Sequence, residues 1–243
     1  MALLPDWMNG AAAGHVIAGG RRPTPQVRVI DLSHPLTEAT PVYPGDPEFR
    51  RETATTIAAD GYNLSRLTLG TQTGTHVDAP FHFLGDGATI DHIPLDMAVG
   101  PAVVVPVRDK GENEPVTLAD LAPYRHRLRP GAIALFVTGW YRHTGTSRFF
   151  EHPYLEAEVG QAVLDAGVRT IAIDTLNADF TGGSSFPIHD MVAAAGGLIA
   201  ENLAGTEALT PGVEPLLLVL PLQLVGCDGA PVRAVALEPV DGG

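Results

Sequence analysis

Cysteine is nearly absent from this chain of 243 residues, since Cys227 stands alone. A single cysteine excludes an intramolecular disulfide bond and a zinc site built from several thiolates. A lone cysteine beside apolar residues is more often a small core residue than a nucleophile, so we expect Cys227 in the core. One cysteine is also compatible with a reducing compartment, and we predict a cytoplasmic location.

Long apolar runs and targeting signals are missing as well. No apolar stretch reaches the roughly 20 residues that a transmembrane helix needs, so we predict no contact with a membrane. The N-terminal segment lacks the basic start and unbroken apolar stretch of a signal peptide. Because residues 1–26 are rich in Gly, Ala and Pro, we predict an N-terminal arm there, followed by one domain over residues 27–243.

Positive charge is scarce. The chain carries 15 lysine and arginine residues against 28 aspartate and glutamate residues, a formal net charge of -13. An acidic surface lacks the clustered cations that a phosphate backbone requires, so we predict no nucleic-acid partner. The apolar fraction of 45% and the charged fraction of 18% are typical of a globular protein with a large core.

Apolar runs bounded by Gly, Pro or Asp predict a large share of β-strand. Capping residues and helical periodicity predict fewer helices, at 117–123, 155–166 and 189–203, the last Ala-rich and buried. We therefore expect a single α/β domain with a mixed β-sheet and a barrel-like core. The predicted strands are 27–30, 62–69, 102–107, 133–137, 170–173, 216–221 and 232–237.

The densest group of ligand-type side chains lies at residues 72–82, QTGTHVDAPFH. If this segment is a strand, Gln72, Gly74, His76 and Asp78 alternate onto one face, because strand side chains have a period of two. An imidazole and a carboxylate two residues apart on one face can hold a single divalent ion. The alternative is an ordinary His–Asp pair on a strand edge.

A proline follows this group and changes the direction of the chain. Pro80 interrupts a regular strand, which allows His82 to approach the same place from another side. The ordinary pKa of a histidine side chain is about 6.5, so the imidazole can take and return a proton at neutral pH. The segment therefore predicts a metal-dependent enzyme with a separate acid/base.

A second group combines His189 with Glu201. The carboxylate ends an apolar run, where it is either capped and exposed or buried with a cation, because a buried unpaired carboxylate is costly. Twelve residues separate the two side chains, so they do not share one helical face. They converge only if the predicted helix ends or bends at Gly196 and Gly197.

The other histidines have weaker surroundings. His34 is left open between a loop residue near the site and a plain capping partner, and His15 in the arm is interpreted as incidental. Histidines among polar neighbours are more often surface or supporting groups than ligands, and this interpretation is given to His92, His126, His143 and His152.

The run QTGTHVDAPFHF resembles the signature H-x-G-T-H-x-D-x-P-x-H of the metal-dependent cyclase/hydrolase family. That family includes bacterial kynurenine formamidases, isatin hydrolases and polyketide cyclases. Weaker similarities occur in the right order, and the resemblance covers roughly residues 27–237. The blocks that carry these similarities are residues 30–36, 40–46, 174–176, 186–189, 201–203 and 229–234.

Several properties are implied by the resemblance alone. It implies that His76, Asp78, His189 and Glu201 bind a divalent metal, zinc or manganese, and that His82 is the catalytic acid/base. It also implies a swivelling β/β/α fold that assembles as a homodimer or homotetramer.

One position departs from the family signature. Gln72 stands where the signature begins with histidine, and a carboxamide oxygen is a weaker ligand for zinc than imidazole. We treat Gln72 as a possible contact to metal or substrate, and the number of metal ions, one or two, stays open. Tyr43, in the loop of residues 43–46, is predicted to contact an aromatic substrate.

The predicted function is metal-dependent hydrolysis of an amide or cyclic amide in a small molecule, by water that the metal activates. A first alternative is a metal-dependent cyclase or lyase that acts on a carbonyl substrate, such as a polyketide, without net hydrolysis. A second alternative is a binding protein without catalytic activity, which the retention of all five candidate site residues argues against.

Overall fold

The computed structural model describes residues 26–240. The predicted arm lies outside these residues except for Gln26. The strands are β1 Val27–Asp31, β2 Arg50–Thr55, β3 Leu64–Thr68, β4 His76–Asp78, β5 Val99–Pro106, β6 Pro115–Val116, β7 Ile133–Val137, β8 Tyr154–Leu155, β9 Thr170–Ile173, β10 Leu198–Glu201, β11 Leu216–Leu218, β12 Gly229–Pro231 and β13 Val235–Pro239. The helices are α1 Ile57–Asp60, α2 Leu118–Leu121, α3 Ala157–Asp165 and α4 Pro187–Ala194, joined by short 3-10 turns.

Nine strands form one sheet in the order β1-β13-β11-β5-β7-β9-β10-β4-β12. The four central strands β5, β7, β9 and β10 are parallel, and the flanking strands are antiparallel. The sheet curls into a half-barrel with few helices. The prediction of a single α/β domain with a mixed sheet and a barrel-like core is confirmed.

Alternate side chains of the central strands enter two separate hydrophobic clusters. On β7, Ile133 and Leu135 join the cluster enclosed by the curl, whereas Ala134 and Phe136 join the cluster on the opposite face. The helices α3 and α4 cover that opposite face, because Val159 and Ile188 belong to its cluster. Strands buried on both faces read as continuous apolar runs, which is why their sequences show no alternation.

The predicted helix 189–203 is wrong beyond residue 194. Helix α4 ends at Ala194, Gly196 has a φ of +66°, and the chain then enters β10. A left-handed residue of this kind ends a helix, and glycine adopts it without steric cost. The apolar residues that follow are buried between β9 and β4, so their environment favours a strand.

The condition that residues 72–78 form one strand holds only for the last three of them. Strand β4 comprises His76–Asp78, while residues 72–75 form turns in which the Thr73 N–H donates to the carbonyl of Gly70 at 3.2 Å. Gln72 and Gly74 therefore do not extend the strand face. In residues 26–240, no helix is long and apolar enough to cross a bilayer.

Candidate active site

Four of the predicted site residues meet at one edge of the sheet. His76 and Asp78 lie on β4 and point to the same face, as the period of two requires. Antiparallel pairing of β4 with β10 places Glu201 directly opposite His76. His189 comes from α4, and none of the four side chains is more than 5% exposed.

The four side chains form a ring in which imidazoles and carboxylates alternate. The His76 Nε2 lies 3.3 Å from Asp78 Oδ1 and 3.5 Å from Glu201 Oε2. The His189 Nε2 lies 3.4 Å from Asp78 Oδ2 and 3.4 Å from Glu201 Oε1. Such separations suit donors that share one ion at about 2.1 Å each. The ring therefore has the size of a metal site.

Both imidazoles of the ring are oriented by their second nitrogen. The His76 Nδ1–H donates to the carbonyl oxygen of Gly74 at 2.8 Å. The His189 Nδ1–H donates at 2.7 Å to Asp179, whose carboxylate also accepts from the backbone N–H groups of Ile188 and His189 at the start of α4. These bonds leave each Nε2 lone pair directed into the ring, the arrangement that metal-binding histidines require.

The ring places two buried carboxylates against two imidazoles, so its positive charge comes from protonated imidazoles or from a bound cation. Among the residues that the structure describes, neither carboxylate oxygen of Asp78 has a hydrogen-bond partner. Burial lowers the pKa of His76, but Asp78 and Glu201 outweigh burial and raise that pKa to about 10. Burial raises the pKa of Asp78 and of Glu201, and the neighbouring imidazoles hold both below their usual range. Two buried carboxylates in this setting require a positive charge between them.

His76, Asp78 and Glu201 form a group that could hold a metal ion, and His189 adds a second imidazole 3.4 Å from each carboxylate. Such nitrogen and oxygen donors fit a divalent metal. The structure thus brings together His76, Asp78, His189 and Glu201, although sequence spacing supported only the first pair. The role of each residue as a ligand stays a prediction.

His82 stands beside the ring and outside it. It ends the 3-10 turn Pro80–His82 and is half-buried, with its ring centroid 6.1 Å from that of His189. Its Nδ1 lies 2.9 Å from Asp228 Oδ2, and Gln72 Nε2 lies 3.1 Å from the same oxygen. Gln72 therefore contacts the surroundings of His82, and the catalytic role of His82 stays a prediction.

A pocket with a cavity volume of about 210 Å³ lies above the ring. Its aromatic side consists of Tyr43, Phe83 and Phe186, with ring centroids 5.4 Å apart for Phe83 and Phe186 and 6.4 Å apart for Tyr43 and Phe186. Asp46 and Asn177 add polar groups at the rim, and burial raises the pKa of the Asp46 carboxyl. The pocket has the size for a substrate with one aromatic ring.

Sequence reasoning missed two carboxylates beside the candidate residues. Asp179 contacts the Nδ1 of His189 and precedes it by ten residues in the sequence. Asp228 contacts the Nδ1 of His82 and follows it by 146 residues. The signal for Asp228 was its position immediately before the 229–234 block. Asp179 had no comparable signal, because its contact depends on how the 174–189 loop folds back.

From the sequence, His152 is interpreted as a surface group or a supporting group, and its burial excludes the first of these. This imidazole is 1% exposed, with its two nitrogens 2.8 Å from the Pro153 carbonyl and 2.7 Å from Thr181 Oγ1, and burial lowers its pKa. His34 is held as a loop residue, because its backbone N–H donates to Thr75 Oγ1 at 2.9 Å. Cys227 is half-buried and packs against the cluster inside the curl.

The chain is similar to one family model and to several known proteins. The family model described as "Putative cyclase" matches residues 30–180. A kynurenine formamidase from Salinibacter ruber is 36% identical over 222 residues, which cover 88% of this chain and 99% of the relative. A kynurenine formamidase from Delftia acidovorans is 32% identical over 209 residues, or 86% of this chain and 96% of the relative.

Two solved structures have a similar fold. Isatin hydrolase A from Labrenzia aggregata, bound to benzyl benzoate, superposes with a TM-score of 0.82 at 24% identity, covering 88% of this chain and 94% of that one. A structure described as a potential metal-dependent hydrolase with cyclase activity has a TM-score of 0.72 at 28% identity, covering 88% and 100%. The fold and the ring define a mixed α/β protein with a site for a divalent metal. The chain belongs to the cyclase family.

Proposed function

We propose that this chain hydrolyses the amide bond of a small aromatic substrate, either an N-formyl aryl amine or a cyclic aryl amide. The enzyme is a metal-dependent hydrolase that acts on carbon–nitrogen bonds other than peptide bonds. One observation carries the proposal. A buried ring of two imidazoles and two carboxylates forms the floor of a pocket with an aromatic side.

His76, Asp78, His189 and Glu201 would hold the cation, and zinc or manganese suits their mixed nitrogen and oxygen donors. When bound, the cation supplies the Lewis acidity that activates water and polarises a carbonyl oxygen. The unpartnered oxygens of Asp78 support this assignment, because a bound cation would give this buried carboxylate a partner.

His82 would move the proton. Its Nδ1 is engaged by Asp228, so its Nε2 is the nitrogen available to take a proton from the attacking water. The same nitrogen would return that proton to the leaving amine nitrogen as the carbon–nitrogen bond breaks. The ring of His82 lines the pocket together with the metal-site residues, as this role requires.

Tyr43, Phe83 and Phe186 would bind the aromatic ring of the substrate by edge and face contacts. The amide carbonyl would then lie over the floor of the pocket. The names of the relatives favour hydrolysis over the cyclase or lyase alternative and over a non-catalytic binding protein.

The test uses the purified full chain loaded with zinc or manganese and a panel of N-formyl aryl amines, isatin and simple lactams. We expect formate from the formamides, or a product heavier than a cyclic amide by the mass of one water. A product of unchanged mass would identify a cyclase, and no turnover of any compound would contradict the proposed function.

A homodimer or homotetramer and a cytoplasmic location are further proposals. The hairpin of β2 and β3 supports self-association, because Ile57, Tyr62, Leu64 and Leu67 are each more than half exposed along it. Sedimentation of the full chain should give a mass of two or four subunits, and a monomer at all concentrations would contradict this.

A further inference from the structure

Asp228 is fixed next to His82 by its backbone. Its carbonyl oxygen accepts from the Ala79 N–H at 2.8 Å, directly before the turn that carries His82. The carbonyl of Cys227 accepts from the Ile90 N–H at 2.8 Å on the other side of that turn. The backbone at Asp228 is therefore fixed independently of the hydrogen bonds of its side chain.

The carboxylate of Asp228 is surrounded by donors. Its Oδ1 accepts from Thr71 Oγ1 at 2.8 Å, and its Oδ2 accepts from Gln72 Nε2 at 3.1 Å and from His82 Nδ1 at 2.9 Å. The hydrogen bond from His82 is the main reason why the pKa of Asp228 lies well below its usual range. An ionised carboxylate accepts only, so the hydrogen of the neutral His82 ring is on Nδ1.

Gln72 has one orientation that satisfies Asp228. The carboxylate needs a donor, so the amide presents its NH₂ group, and its Oε1 is left buried without a hydrogen-bond partner among residues 26–240. The amide packs against Gly229, where a Cβ atom would come within 2.6 Å of Gln72 Nε2. Close packing on one side and the carboxylate on the other hold this amide in place.

We propose that Asp228 is the positioning residue of His82 and that Gln72 holds Asp228 in place instead of binding the cation. Asp228 keeps the proton on Nδ1 and leaves the lone pair of Nε2 free on the pocket side. It stays ionised while Nε2 gains and loses a proton, and it stabilises the imidazolium in between. This inference rests on the proposed function for the role of His82 as acid/base.

The first test needs no variant. The full chain, labelled with ¹⁵N-histidine and loaded with diamagnetic zinc, is examined by long-range ¹H–¹⁵N NMR, with His82 assigned from the spectrum of His82→Gln. At a pH where the ring is neutral we expect the Nδ1–H tautomer. The Nε2–H tautomer would overturn the proposal. Because this spectrum requires no substrate, it separates a failure of this inference from a failure of the proposed function.

The second test is Asp228→Asn, which keeps the shape of the side chain and offers an N–H to Nδ1. We expect kcat to fall by about 10²-fold or more with KM and zinc content unchanged, and the His82 spectrum to shift to the Nε2–H tautomer. An unchanged kcat, or a fall in kcat that matches a loss of zinc, would overturn the positioning role.

Asp91→Asn is the matched control. Asp91 lies in the 3-10 turn Ile90–His92, and its carboxylate accepts from Thr89 Oγ1 and from the N–H of Gly226, two residues before Asp228. Asp91 does not line the pocket. This variant should keep kcat within about 2-fold of the wild type. A loss equal to that of Asp228→Asn would assign the effect to the segment around Gly226 and overturn the proposal.

Gln72→Met tests the second half of the inference, because it keeps the volume and removes the donor. We expect kcat to fall by about 2- to 10-fold with an unchanged zinc content, since Thr71 still holds Asp228. Loss of one equivalent of zinc would make Gln72 a ligand and overturn that half.

Discussion

Asp78 and Asp228 each lie beside a histidine, but the two carboxylates differ in their hydrogen-bond partners. In the buried ring, neither oxygen of Asp78 has a hydrogen-bond partner within the described residues. Beside His82, Asp228 is partly exposed and accepts from Thr71, Gln72 and His82. Within residues 26–240, the buried carboxylate of Asp78 has no hydrogen-bond donor, whereas the carboxylate beside His82 has three.

The same contrast separates the histidines by function. All three candidate imidazoles have Nδ1 engaged and present Nε2 to the pocket or the ring. The Nε2 atoms of His76 and His189 face two carboxylates within 3.5 Å. Under the proposed function, His76 and His189 would bind the metal and His82 would exchange a proton.

The largest expected effect comes from breaking the ring. His76→Ala should remove the bound metal and abolish turnover together, because it takes away an imidazole that faces both carboxylates of the ring. Metal analysis and turnover of an N-formyl aryl amine measure both. The control is His152→Ala, which removes another buried imidazole outside the ring. A His76→Ala protein with wild-type metal content would contradict the ring as the metal site.

Removing the imidazole of His82 should lower turnover without loss of the bound metal. His82→Ala should keep the metal and lower kcat by about 10²- to 10⁴-fold, the usual contribution of a general acid/base. His143→Ala, a half-buried imidazole that packs on Trp140 away from the pocket, serves as the control with unchanged kcat. Wild-type rates in His82→Ala would make its proposed role wrong.

Removing the metal should affect stability through the ring alone. At a free metal concentration of 100 times the dissociation constant, binding stabilises the folded chain by about 2.7 kcal/mol. For a domain of this size, chelation should therefore lower the Tm by about 5–10 °C. Differential scanning calorimetry measures the shift, and His76→Ala should show none. A wild-type Tm that is independent of zinc would count against a metal bound in the ring.

Asp179 offers a milder way to perturb the ring. Asp179→Asn removes the carboxylate that orients His189, and supporting residues of this kind cost about 10- to 100-fold in metal affinity or activity. Competition with a chelator measures the affinity. Asp190→Asn, an exposed change on the same helix, is the control. Equal affinities in the two variants would remove Asp179 from the site.

The smallest effect is expected in the aromatic side of the pocket. Tyr43→Ala should raise KM for an aromatic formamide by about 2- to 10-fold with kcat unchanged, the loss of one aromatic contact. Tyr43→Phe should stay close to the wild type, because the Tyr43 hydroxyl lies 3.4 Å from its nearest acceptor, the Thr181 carbonyl. An unchanged KM in Tyr43→Ala would place the substrate elsewhere.

Local sequence determined the parts of this protein that act over a few residues. The strands at 133–137 and 170–173 match their predictions, because their apolar runs are bounded by residues that end strands. The pairing of His76 with Asp78 also follows from the strand period. Pro80, at the start of the 3-10 turn that carries His82, had marked the end of the strand in advance.

Tertiary structure decided the rest. The apolar residues of 196–201 are compatible with a helix or a strand, and burial between β9 and β4 selects the strand that places Glu201 opposite His76. The contact of Asp228 with His82 joins positions 146 residues apart. Local propensity carries no information about such contacts, because they form only when the sheet brings distant strands to one edge.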